Sequence, residues 1–235
     1  MNGDASTLAG GRSPASAALS LRAPLGAALV GLLGLVGLTA LVLAARHGSP
    51  PALDRTAHDW SLRHRPSGLV ATARAVTATG TGVFPYAAAV TAGLIAGGDT
   101  RRRLGHIVGA LAFLLLGQGV RYGLMRVIAR PRPPLGDWAT HASGFAFPSG
   151  HATTSALMAG LLLTAIGVRA HGRWVPRPLR TAVAALVVCW AAAVGLSRVL
   201  LGVHWATDVL AGWLFAAVWV GLGTALIRKV LPLSR

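Results

Sequence analysis

Six stretches of this chain are apolar enough, and near enough to bilayer length, to fix its class before anything else is read. Pro24 to Ala45 carries no charged residue, and a helix crosses ~30 Å of hydrocarbon with roughly 20 apolar residues. A secretory signal competes for this run, because Ala44-Ala45 offers a cleavage site. The apolar core of a signal is usually about 7–15 residues, so the run reads as a first span. Its Gly31, Gly34 and Gly37 permit close helix approach. Further runs lie at about 83–97, 104–128, 152–168, 181–197 and 205–227. The second is short, so its start is expected to reach back into 76–82. Backbone polar groups in lipid must be satisfied within the segment, which makes spans helical. The expectation is an all-α, six-span transmembrane helical bundle with both termini on one side.

The polar stretches divide the chain. Residues 1–22 read as a disordered tail, and 23–230 as a single integral membrane domain. Residues 46–82 mix charges and read as short helices at the interface, with Trp60 as an anchor. The 22 Lys+Arg against six acidic residues give a net charge of +16. In a soluble protein that balance suggests nucleic acid. Here 54% of residues are hydrophobic and no nucleic-acid motif is present, so the charge reads as basic loops on anionic lipid headgroups. The one cysteine, Cys189, forms no internal disulfide. The one lysine is Lys229, so arginine fills nearly every cationic role. Loop arginines set orientation. Apart from Arg121, Arg126, Arg130, Arg132 and Arg198, which read as site residues, more Lys+Arg fall on the terminus side than opposite. The termini are expected to be cytoplasmic.

With that topology three polar segments meet at the outer face: 121–133, 147–151 and 197–208. The last contains Ser197, Arg198, His204 and Asp208. His204 and Asp208 stand at i and i+4, one helical turn apart, so the carboxylate can reach the imidazole. It would fix the tautomer and leave the other ring nitrogen free. A lone ionisable group in an apolar segment is expensive and marks a functional site. In Pro148-Ser149-Gly150-His151, Ser149 suits an N-cap, Gly150 permits close backbone approach, and the free N–H groups of a helix start bind anions. Prolines stiffen Arg130-Pro131-Arg132-Pro133-Pro134 into an extended segment that holds its guanidinium groups at fixed spacing. Together the three segments suggest an oxyanion pocket.

These residues carry a resemblance. Over roughly residues 80–227 the sequence resembles the type 2 phosphatidic acid phosphatase superfamily, which includes lipid phosphate phosphatases and vanadium haloperoxidases. That family shows Lys-x6-Arg-Pro, then Pro-Ser-Gly-His, then Ser-Arg-x5-His-x3-Asp. The second part is complete at 148–151 and the third at 197–208. The first departs, because Met125 stands where the lysine belongs before Arg132. Arg126 is one residue off, about 100° round a helix. Arg121, one turn before Met125, shares its face and reads as a partial replacement.

The resemblance implies a haloperoxidase-like helical core and a lipid phosphatase whose signature spans about 121–208. Phosphomonoester hydrolysis is among the slowest uncatalysed reactions and demands a strong nucleophile and charge stabilisation. His204 would attack phosphorus and form a phosphohistidine, with Asp208 orienting its ring. His151 would protonate the departing oxygen and then activate water. Arg132, Arg198 and Arg121, with the Gly150 N–H and the Ser149 hydroxyl, would hold the other oxygens. No metal or other cofactor is expected, because histidines among arginines repel a dication; zinc is the competing reading. Expected partners are membrane lipids and a lipid phosphate substrate: a polyprenyl diphosphate, phosphatidic acid or phosphatidylglycerophosphate. A vanadate-dependent haloperoxidase and a non-catalytic membrane scaffold or transporter are the alternatives.

Overall fold

The computed structural model describes residues 14–45, 50–170 and 176–230. Helix α1 (Pro14–Ala44) begins inside the stretch expected to be a disordered tail; residues 1–13 of that tail lie outside the described residues. Two short helices follow, α2 (Ala52–Arg63) and α3 (Ser67–Ala78), then α4 (Phe84–Ala96) and the long α5 (Thr100–Ile128). A loop with one 3-10 turn at Leu135–Asp137 leads to α6 (Gly150–Ala170), α7 (Arg177–Leu200) and α8 (Ala206–Val230).

Five of these helices are long and apolar enough to cross a membrane: Leu21–Ala44 within α1, Thr100–Ile128, Gly150–Arg169, Arg177–Leu200 and Ala206–Lys229. The expected second span is α4, and at 13 residues it covers only ~20 Å at 1.5 Å per residue. It does not reach back into 76–82. Residues up to Ala78 belong to α3, and the chain then turns through Gly80-Thr81-Gly82, with Gly82 at φ 62°. The two glycines end helical continuity where an apolar pattern alone suggested extension.

Helix α6 is the hub, packing against α4, α5, α7 and α8, while α1 packs along α8. A Cβ on Gly31 would stand 3.0 Å from the Leu214 carbonyl, and one on Gly34 would stand 3.1 Å from the Leu214 side chain. Gly37 has nothing within 4 Å, so two of the three small residues serve this contact. The central apolar cluster is Ala89, Ala110, Leu114, Leu157 and Ala216. Leu29, Leu33, Leu116, Leu186 and Leu226 are exposed, as suits side chains bathed by lipid.

Polar residues follow the opposite rule. Asp54, Arg130, Ser149, Ser197, Arg198, His204, Thr207 and Asp208 are all buried. They come from the start of α2, the ends of α5 and α7, and the starts of α6 and α8, and hydrogen bonds join most of them directly. One end of the bundle therefore gathers these buried polar groups. Residues 46–82 do contain two short helices, and α2 docks on the bundle, burying Asp54, His58 and Ser61 against α7 and α8. Trp60 is on the outer face, stacked on His64.

Candidate active site

The His204 loop is short and tightly held. Helix α7 ends at Leu200, Gly202 turns the chain at φ 72°, and α8 starts at Ala206. Only glycine fits at 202, since a Cβ would run into the Asp137 carbonyl oxygen. His204 and Trp205 thus sit at the mouth of α8. Asp208, at the third helical position, accepts the Trp205 N–H on Oδ2 at 2.8 Å, half of a capping box.

Asp208 Oδ2 also stands 3.3 Å from Nδ1 of His204, as the i, i+4 spacing suggested. Arg132 Nη1 donates to Nε2 of the same ring at 2.9 Å. A guanidinium only donates, so Nε2 carries the lone pair and the neutral ring holds its proton on Nδ1, towards the carboxylate. Burial pushes the His204 pKa down to about 4; Asp208 opposes the shift, while Arg132 and Arg198 reinforce it. The ring is therefore uncharged at neutral pH, with Nε2 basic and turned to the cavity side.

A cavity of about 820 Å³ is lined by His204, His151, Arg132, Arg198, Arg121 and Gly150, among others. The two imidazoles thus share one space. His151 lies in the first turn of α6, and Arg198, His204, Arg132 and Arg121 all act electrostatically on its ring. Arg198 is buried; Nη1 donates to Thr77 Oγ1 at 3.1 Å, while Nε has no hydrogen-bond partner among the described residues. A buried, unpartnered N–H of a guanidinium suits an incoming anion. The Arg121 guanidinium lies against the start of α6: a Cβ on Gly150 would be 3.4 Å from its Nη1. Its Nη1 donates to Met125 Sδ at 3.4 Å, so it extends over the side chain that stands at the lysine position. Arg126 lines the same cavity but is exposed, over the Phe145 ring.

Three placements depart from the sequence reading. Ser149 is completely buried and does not line the cavity; its Oγ accepts from Ala152 N at 3.5 Å, a helix cap rather than an anion contact. Arg132 is not a free phosphate clamp. Beyond His204, its fork donates to the carbonyls of Ser143, Gly144, Phe145 and Val203 at 2.7–3.1 Å, and so ties the α5–α6 loop to the His204 loop. Burial lowers its pKa and Arg121 does so further, while Asp208 opposes the shift. Arg130 points away from the cavity, with Nη1 on Asp208 Oδ1 and Nη2 on Asp54 Oδ2, both at 2.6 Å.

Asp54 escaped the sequence reading, as did His58, which lies 3.0 Å from the Asp137 carboxylate and packs on Trp205. The available signal was the spacing Asp54, His58, Ser61, which puts three polar groups on one face of a short helix where a docked helix ordinarily shows apolar ones. Among the described residues no three His, Cys, Asp or Glu gather as metal ligands.

The arrangement can hold a tetrahedral anion between guanidinium groups beside a basic ring nitrogen. The profile of the PAP2 superfamily matches residues 103–231. A decaprenylphosphoryl-5-phosphoribose phosphatase of Mycolicibacterium smegmatis is 36% identical over 155 residues, 65% of this chain and 75% of that protein. Phosphatidylglycerophosphatase B of Escherichia coli is 38% identical over 88 residues, 37% of this chain but only 31% of that protein. The crystal structure of a transmembrane PAP2-type phosphatidylglycerolphosphate phosphatase from Bacillus subtilis superposes with a TM-score of 0.68. It is 21% identical, and the match covers 89% of this chain and 98% of that one. This chain is a multi-pass helical membrane protein and belongs to the PAP2 superfamily.

Proposed function

We propose that the protein is a membrane phosphatase that hydrolyses a phosphate or diphosphate ester of a lipid through a phosphohistidine, without a metal. The observation that carries this reading is the His204 ring. Its Nδ1 is backed by Asp208 and its Nε2 lone pair stands in a cavity lined by Arg121, Arg126, Arg132 and Arg198 and by a second imidazole. Nε2 attacks phosphorus in line and the ester oxygen departs, taking a proton from the imidazolium form of His151, which the phosphate anion bound among the arginines favours. A water that His151 deprotonates then attacks the phosphohistidine, releasing phosphate and restoring both rings. Arg198, Arg121 and the Gly150 N–H hold the non-reacting oxygens; Arg132 joins them as it leaves Nε2. Ser149 contributes by capping α6 and fixing its first turn.

Arg121 stands in for the missing lysine; its position against Gly150 supports this. The cavity wall also includes Pro85, Tyr86, Leu115 and Tyr122 on α4 and α5, a surface suited to an acyl or prenyl chain. The names of the relatives, a decaprenylphosphoryl-5-phosphoribose phosphatase and a phosphatidylglycerophosphatase, favour a lipid-linked phosphate. We further assign α4 as a sixth, short span within one domain of 23–230. The termini are then cytoplasmic and the site faces outward, as the arginine asymmetry of the loops supports.

The test is phosphate release by the full chain in detergent from polyprenyl diphosphate, phosphatidic acid, phosphatidylglycerophosphate and decaprenylphosphoryl-5-phosphoribose. His204→Ala serves as control and EDTA is added throughout. Release by the wild type alone, undiminished by EDTA, supports the reading. Equal release by His204→Ala, or EDTA inhibition relieved by zinc, rejects the mechanism.

A further inference from the structure

The N-cap position of α8 is held by Trp205, which has no side-chain oxygen for the orphan N–H groups of the first turn. Asp54 of α2, 153 residues away in sequence, meets one: its Oδ1 accepts from Thr207 N at 2.8 Å. Its Oδ2 accepts from Thr207 Oγ1 at 2.8 Å and from Arg130 Nη2 at 2.6 Å. The other end of that guanidinium serves Asp208 Oδ1. Two fully buried carboxylates therefore share one guanidinium, and neither Asp54 nor Arg130 lines the cavity. A neutral acceptor would suffice for a cap, and burying a charge is costly. The second carboxylate calls for another reason.

Electrostatics supplies one. The charged and titratable groups facing the His204 ring are Asp208 of α8, Arg132 of the α5–α6 loop, Arg198 of α7 and His151 of α6, with Arg121 of α5 beside His151. Asp208 is the one anion among them. Arg130 alone behind it would make a neutral pair and cancel the charge the imidazole needs as it becomes cationic. With Asp54 on its far side, Arg130 is balanced and Asp208 keeps its charge. We propose that Asp54 is a positioning residue of the phosphoryl-transfer site, holding Arg130 so that Asp208 remains an oriented, uncancelled carboxylate behind His204. The proposal rests on His204 as the nucleophile, and it draws α2 into the catalytic apparatus from outside the matched residues 103–231.

The test follows the His204 ring by nuclear magnetic resonance in the full chain, 15N-labelled at histidine, in detergent micelles; His204→Gln identifies its signals. In Asp54→Asn the titration midpoint of the ring falls by about one pH unit. In parallel kcat drops roughly tenfold with KM little changed, because Asp54 touches no substrate. Loosened packing would move the midpoint the other way, towards the ~6.5 of a solvated imidazole. Adding Arg130→Gln to Asp54→Asn brings the midpoint back to the wild-type value or above. Asp54→Ser removes the same charge and gives the same reading should the asparagine variant not fold. A midpoint unmoved or raised in Asp54→Asn, a double variant as low as the single one, or loss of folding in both Asp54 variants overturns the proposal. A wild type inert on every lipid phosphate, with the midpoint shifts as stated, rejects the proposed function and leaves this coupling standing. An active wild type with unmoved midpoints does the reverse.

Discussion

Arg132 donates from Nη1 to Nε2 of His204 at 2.9 Å, so a guanidinium holds the ring nitrogen that would attack phosphorus. The contact selects the tautomer with the proton on Nδ1, the one Asp208 can accept. A phosphate oxygen binds a guanidinium better than a neutral nitrogen does, so in the proposed mechanism an arriving substrate would take Arg132 over and free Nε2. The same side chain orders the loop through four carbonyls.

Replacing that planar fork should therefore cost both chemistry and stability. Arg132→Lys retains charge but offers three donors from a single point. Its kcat/KM is expected to fall by about 10²–10³-fold, the scale of losing an oxyanion contact, and its thermal midpoint in detergent should fall too. Phosphate-release kinetics and thermal unfolding check this; a variant within threefold of wild type on both refutes it.

The pH profile follows from the His204 pKa of about 4. In the proposed mechanism the neutral ring is the nucleophile, so activity should be lost as pH falls through the folded value. The acid limb of kcat/KM should lie near pH 4 rather than near the ~6.5 of a free imidazole. Stability has the same sign. The unfolded ring takes up its proton first, so the contribution of His204 is full above ~6.5 and is lost as pH falls towards 4. An acid limb near 6.5 that disappears on substitution of His204 would contradict this.

Arg121 and Arg126 make a paired comparison. Arg121 lies against Gly150, whereas Arg126 is exposed over Phe145. A guanidinium near a phosphate oxygen contributes at most about 4 kcal/mol at an intermediate dielectric. Arg121→Ala should lower kcat/KM by roughly 10²-fold or more, and Arg126→Ala by less than about tenfold. The reverse order rejects Arg121 as the stand-in for the lysine.

Gly202→Ala tests the loop itself. The backbone there is at φ 72° and the Asp137 carbonyl occupies the space a Cβ would need, so alanine brings both strain and a backbone clash. The expected loss is about 1–3 kcal/mol or more of stability, read as a lower thermal midpoint, together with reduced turnover. Wild-type behaviour on both readouts would show that the loop relaxes.

Local spacing made much of this legible. His204 and Asp208 are neighbours on one turn, and the apolar runs located every long helix. The contact of Arg121 with Met125 was readable because the two lie one turn apart. What stayed hidden depends on distant packing. Nothing near Asp54 in sequence announces a bond to Thr207, and nothing in Arg130-Pro131-Arg132 says that the two guanidinium groups part on either side of the His204–Asp208 pair. The length of α4 was misjudged because apolar content does not register a glycine turn.

The central claim is that His204 carries the phosphoryl group. Acid-labile, base-stable radiolabel should accumulate on the native chain when it is quenched during turnover of a 32P-labelled lipid phosphate, and it should map to His204 and be absent from His204→Ala. Turnover with no such label, or label that persists in His204→Ala, would contradict the account.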